Sequence, residues 1–162
     1  MKNQYTSLNR WIGFFILNCL SALVMYSQNI FSLMLVSDVT FISFGIMIIY
    51  LLVTFSLGYK TYKLCKNRDK MQSKWLQKTG IEWYIKEELP TLGLIGTIIG
   101  LMIVLGPAFA AIDPASTESL ASAISYITLG VGSALWTTVA GLVSYILIGI
   151  QLMNLERAMD NV

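Results

Sequence analysis

The sequence predicts an all-α integral membrane protein with four transmembrane helices and a short amphipathic cytoplasmic linker. Three observations carry this: charge is scarce, the apolar residues gather into four long runs, and the basic residues sit in only three segments. Of 162 residues, 56% are hydrophobic and 12% are charged, where soluble domains carry about a quarter charged. The runs cover 11–36, 41–58, 91–112 and 122–152, with the linker at 60–89, and the whole of 1–162 reads as a single membrane domain. About 20 apolar residues at about 1.5 Å rise cross a hydrocarbon core of roughly 30 Å, so each run is long enough to span.

Charge sets the orientation. Lys2 and Arg10 lie at the start, Lys60 to Lys86 in the middle and Arg157 near the end, whereas one remaining loop carries Asp38 and the other Asp113 and Glu118. By the positive-inside rule the two ends and the linker are cytoplasmic and the acidic loops face out. A net charge of +2 gives no argument for a nucleic-acid partner. The chain has no histidine, and Cys19 and Cys65 form no CxxC pair. Haem, structural zinc, and Ser-His or Cys-His catalysis therefore lack their usual residues, and neither a metal, a cofactor nor an enzymatic activity is expected. A disulfide between the two cysteines is not expected in a reducing compartment.

The first run, Trp11 to Val36, is interrupted by Asn18, Ser21 and the Ser27-Gln28-Asn29 patch. No clean small-x-small cleavage site follows its apolar core, so a retained span is favoured over a cleaved signal peptide. Trp11 suits the inner interface, and the polar residues suit interhelical hydrogen bonds or the outer face. A short turn from Ser37 to Thr40 leads to the second run, dense in Ile, Phe, Leu and Met and expected to face lipid. It ends in Gly58-Tyr59-Lys60, whose aromatic and basic side chains suit the headgroup level.

From Met71 to Leu89 the chain is amphipathic, with Trp75, Leu76, Ile81, Trp83, Tyr84 and Ile85 among Lys and Glu. Thr79-Gly80 divides it into two short helices, the second near Glu82 to Glu88 on the inner interface. Roughly 30 residues cannot bury a core of their own. Pro90, with no N–H to lose in a first turn, predicts that the third span starts there. Gly93, Gly96 and Gly100 then recur at three- and four-residue steps, with Thr97 beside them, which lets another helix approach closely. Gly106-Pro107 is expected to bend or end this helix, and Asp113 to Thr117 to form a turn with an N-cap. The fourth run exceeds the bilayer, so its last turns, Asn154 to Arg157, project into the cytoplasm. Gly130, Ser133, Thr137, Gly141 and Ser144 make a small and polar stripe along it. Two slender spans and two bulky ones suggest an inner pair, spans three and four, and an outer pair facing lipid.

Two stretches resemble a known family. Leu92-Gly-Leu-Ile-Gly-Thr-Ile-Ile-Gly-Leu-Met102 is similar to the Gly-Leu-hydrophobic-Gly-Thr-hydrophobic-x-Gly-hydrophobic motif of the MotA/TolQ/ExbB group of inner-membrane proton-channel subunits. Gly132-Ser-Ala-Leu-Trp-Thr-Thr-Val-Ala-Gly-Leu142 resembles its partner motif, small-x-Ala-Leu-x-x-Thr-x-x-Gly-Leu. The resemblance covers Leu89 to Tyr145. It implies a homopentamer whose spans three and four surround a central pore in a bacterial inner membrane. A single-span ExbD, TolR or MotB-like partner with a membrane Asp would sit in that pore, and ion motive force, from protons or sodium, would drive its movement. Carried over, the ion pathway holds Thr97 and Thr138, with Thr137 as the adjacent alternative. Ser133 falls where TolQ and ExbB-like members carry an acid. Four spans with both ends inside resemble the MotA arrangement more than the three-span TolQ one.

The residues alone leave two readings open. The threonines can bond back to a carbonyl one turn earlier and do nothing more. Likewise the chain can be a structural or holin-like oligomer without coupled ion transport.

Overall fold

The chain is described by a computed structural model over residues 6–38, 40–66, 79–110, 112–113 and 116–160. Among the described residues it forms α1 (Thr6–Ser27), α2 (Ile30–Ser37), α3 (Ile42–Lys66), α4 (Gly80–Ala110) and α5 (Thr117–Asp160), and no strand. Four of these, all but α2, are long and apolar enough to cross a membrane. The first of the two expected linker helices, with Trp75 and Leu76, falls on residues outside the described ones.

Several predicted boundaries shift for identifiable reasons. The run 11–36 is two helices, because Asn29 takes a left-handed conformation at φ 55° and ends the ladder between Ser27 and Ile30. Asn tolerates that region better than most residues. The run 41–58 continues to Lys66, since Gly58 is a packing position rather than a break: a Cβ there would fall on the indole of Trp11. The outer turn before it is tied by Asp38, 1% exposed, whose carboxylate accepts from Thr40 N, Thr40 Oγ1 and Ser43 N at 3.2, 2.8 and 3.1 Å.

Pro90 does not start the third span. α4 runs from Gly80 through Pro90 and past Pro107 to Ala110, so the second expected linker helix and the span are one rod of 31 residues. An interior proline costs about 3 kcal/mol. What offsets it is a single buried stripe, Glu82, Lys86, Leu89, Gly93, Gly96, Gly100, Val104 and Ala108, stepping by three or four residues with Pro90 lying off it. α5 starts five residues before the predicted 122, where Ser116 Oγ accepts from Ser119 N at 3.3 Å in an N-cap. Its 44 residues reach about 66 Å, twice the hydrocarbon thickness.

α3, α4 and α5 share one core, in which Ile46, Leu57, Leu89, Ile148 and Leu152 are fully or almost fully buried. The second span is therefore not wholly lipid-facing: one face is buried in this core, while Ile48, Leu52 and Phe55 stay exposed on the other. Its composition does not separate the two cases, because lipid tails and a packed interior are equally apolar. α1 is the peripheral helix, with Ile12, Ile16, Leu17, Leu20 and Leu23 exposed. Sparse polar contacts hold it: Tyr50 donates to Asn18 Oδ1 at 2.9 Å and Asn154 Nδ2 to Ser7 O at 3.0 Å. The second bond also brings the start of α1 beside the end of α5. Cys19 and Cys65 are free thiols.

Polar groups unmarked by any motif are buried at this same end of the bundle. Lys60 of α3 pairs with Glu82 of α4 at 2.5 Å, and Ser56 donates to the same oxygen at 2.9 Å. Lys86 lies over the rings of Trp83 and Tyr145, at 4.3 and 4.4 Å from their centroids, and Trp83 Nε1 donates to Glu156 at 2.8 Å. Gln151 reaches Thr54 across the α3–α5 contact at 3.1 Å. Removing one member of a buried ion pair strands the other charge, so Lys60→Met is expected to lower stability in detergent denaturation by about 3–5 kcal/mol. The double variant Lys60→Met/Glu82→Leu should regain most of that loss; equal losses in both would contradict a paired role.

Candidate functional site

α4 and α5 lie antiparallel and touch through backbone. A Cβ on Gly141 would sit 2.7 Å from Leu89 O and 3.3 Å from Gly93 Cα; one on Gly93 would sit 2.9 Å from Thr137 O. Gly96 leaves room for the side chain of Thr137, 2.9 Å from where its Cβ would be, and Gly130 leaves room for Val104 at 2.7 Å. Gly100 is buried on the same stripe of α4. All five packing glycines of the sequence are thus buried, and the four with mapped neighbours face partner atoms within this one chain.

That close approach brings two hydroxyls together. Thr97 Oγ1 and Thr138 Oγ1 are 2.5 Å apart, and Thr97 Oγ1 is also 3.0 Å from Gly93 O and 3.2 Å from Ala134 O. A threonine has one hydroxyl proton to give. When Thr97 donates to either carbonyl, Thr138 donates to Thr97, and with Gly93 O as the acceptor the pair forms a short directed chain from α5 to α4. Both side chains are partly exposed rather than sealed. Thr137 differs: it is fully buried and its hydroxyl donates to Ala134 O at 2.9 Å. The adjacent threonines are thereby sorted, Thr137 into the glycine seam and Thr138 onto Thr97. Ser133 lies on α5, and its side chain is outside the described residues.

Around the pair the two helices present apolar side chains, among them Leu94, Ile98, Leu135 and Val139, all exposed in the single chain. Among the described residues no group of three or more His, Cys, Asp or Glu comes together. Sequence reading misses the buried Glu82 and Lys86, although the signal is there: their spacing continues the Leu89-Gly93-Gly96 stripe backwards across Pro90.

Residues 63–162 match the model of the MotA/TolQ/ExbB proton channel family. The chain belongs to this family. The matched region takes in all of α4, with its threonine, and the whole described length of α5. No curated protein and no solved structure gives a significant match. The family is one of proton channels, not of enzymes, and with four apolar helices the chain is a multi-pass membrane protein.

The seam predicts a contrast between glycines. Gly141→Leu should separate α4 from α5, and limited proteolysis in membranes should then cut the hairpin, whereas Gly106→Leu, with nothing within 4 Å, should leave it resistant. Equal resistance in both would contradict the packing described.

Proposed function

We propose that this chain is the channel subunit of an ion-driven motor in a bacterial inner membrane, with both ends in the cytoplasm. In this reading it assembles as a homopentamer, with α4 and α5 around a central pore. A single-span ExbD, TolR or MotB-like partner occupies the pore. Proton flow, or sodium flow, is converted into movement of that partner.

The observation that carries this reading is the Thr97–Thr138 hydroxyl pair, set between the two helices that hold the family's motifs and not fully sealed. It is supported by what the spans lack. From Leu89 to Ile112 and from Ser119 to Leu155 the sequence has no Asp or Glu, and Ser133 stands where, by the resemblance, TolQ and ExbB-like members carry an acid. A carboxylate at the bilayer centre costs about 3 kcal/mol on insertion scales, so it is tolerated only in a protected, partly wet interior. The titrating group then belongs to the partner, and this chain supplies hydroxyls that donate to its carboxylate, accept from its protonated form, or hold a bridging water. One charge crossing gains about 2.3 kcal/mol per 100 mV, several times thermal energy, enough to bias which subunit the partner's acid faces.

Proton flux into vesicles that hold the chain with its partner tests the assignment. Thr97→Ala and Thr138→Ala should each lower flux at least about tenfold, the worth of one good hydrogen bond, and Thr97→Ser should keep most of it. Wild-type flux in both Ala variants would remove the two residues from the pathway. A structural oligomer without coupled transport is the second reading, favoured by the bond of Thr97 back to Gly93 O; it predicts no flux in the wild-type complex.

A further inference from the structure

We propose that the groove between α1 and α5, at the end of the bundle where the start of α1 meets the end of α5, holds one anionic phospholipid. The groove has a volume of about 300 Å³. Arg10, Trp11 and Phe14 line it from α1, and Ile150, Gln151 and Arg157 from α5. No acidic side chain is among its described lining residues.

Its residues are graded by depth. α1 runs away from this end and α5 runs toward it, so Arg10 and Arg157 stand at the mouth. Phe14 lies about 6 Å deeper along α1, and Ile150 about 10 Å deeper along α5. Two guanidinium groups at the mouth suit a phosphodiester, which they bind through paired N–H donors. The apolar walls behind them suit the first methylenes of acyl chains, and Trp11 stands between, at the level where indoles favour the membrane interface. A free phosphate would use the arginines and leave the walls uncovered. A lipid matches both halves.

Two buried polar atoms belong to residues that line this groove and have no hydrogen-bond partner among the described residues, Trp11 Nε1 and Gln151 Oε1. Gln151 is 3% exposed, and its amide nitrogen is already given to Thr54. One atom is a donor and the other an acceptor. Both groups are turned toward α3, Trp11 through its indole edge on Gly58 and Gln151 through its bond to Thr54, so they form the floor of the groove and do not meet the headgroup. The site is separate from the threonine pair and does not depend on ion transport. It rests on charge placing this end at the cytoplasmic leaflet, where anionic lipid attracts basic residues.

Native mass spectrometry of the delipidated full-length oligomer tests the proposal, with phosphatidylglycerol, phosphatidylcholine and inorganic phosphate added in turn. Phosphatidylglycerol should stay bound, the other two should bind at least about tenfold more weakly, and Lys63→Gln should change nothing. Arg10→Gln should weaken the lipid about fivefold and Arg10→Gln/Arg157→Gln about thirty-fold, with Arg10→Lys/Arg157→Lys retaining most of it. Should the double variant not fold, the exposed Arg10→Gln decides alone. The proposal is overturned by equal binding of the two lipids, by phosphate binding as well as lipid, by indifference to Arg10→Gln, or by no lipid bound because a second copy covers the groove.

Discussion

The structure depends on backbone meeting backbone at Gly93 and Gly141. Lipid offers no hydrophobic reward for bringing two apolar helices together, so association rests on van der Waals contact and on hydrogen bonds that need close range. With Cβ atoms missing at these positions, α4 and α5 approach until Leu89 O and Gly93 Cα lie where a side chain of Gly141 would begin. Only at that separation do the short side chains of Thr97 and Thr138 reach one another. The same approach buries Thr137 and seats Val104 over Gly130. Packing and the hydroxyl pair are thus one feature seen at two levels.

α4 carries this seam and the charged end of the bundle on a single rod. Glu82 and Thr97 are fifteen residues apart, about 22 Å along the helix. Pro90 lies between them without ending the helix, because the stripe on either side of it is packed against neighbours. The Lys60–Glu82 pair and the stacked Lys86 tie the lower part of α4 to α3 and α5. A hairpin whose base is fixed in this way holds its upper part, where the threonines sit, in register.

Much of this is legible in the chain. Four spans, their order, and the glycine and threonine positions follow from run length and from three- and four-residue spacing. The interhelical role of Asn18 is also readable, since an amide inside an apolar run needs a partner. Other features are not. Asn29 breaks the first run through a left-handed backbone that residue type permits but does not require. Pro90 reads as a start because local chemistry favours one, and only the buried stripe, a tertiary feature, overrides it. The second span reads as lipid-facing because its composition is the same whichever way it faces. The charged contacts of Glu82 and Lys86 stay hidden as long as those residues are placed in a surface linker.

The proposed channel rests on Thr97 and Thr138 being neighbours within one subunit. Oxidative cross-linking in membranes reads this directly, using Thr97→Cys/Thr138→Cys in a chain whose Cys19 and Cys65 have been replaced. Hydroxyls 2.5 Å apart leave room for a disulfide between the two positions. Rapid cross-linking within one chain is expected, seen as a faster-migrating monomer on a non-reducing gel. Cross-links formed only between chains, or none, would contradict it.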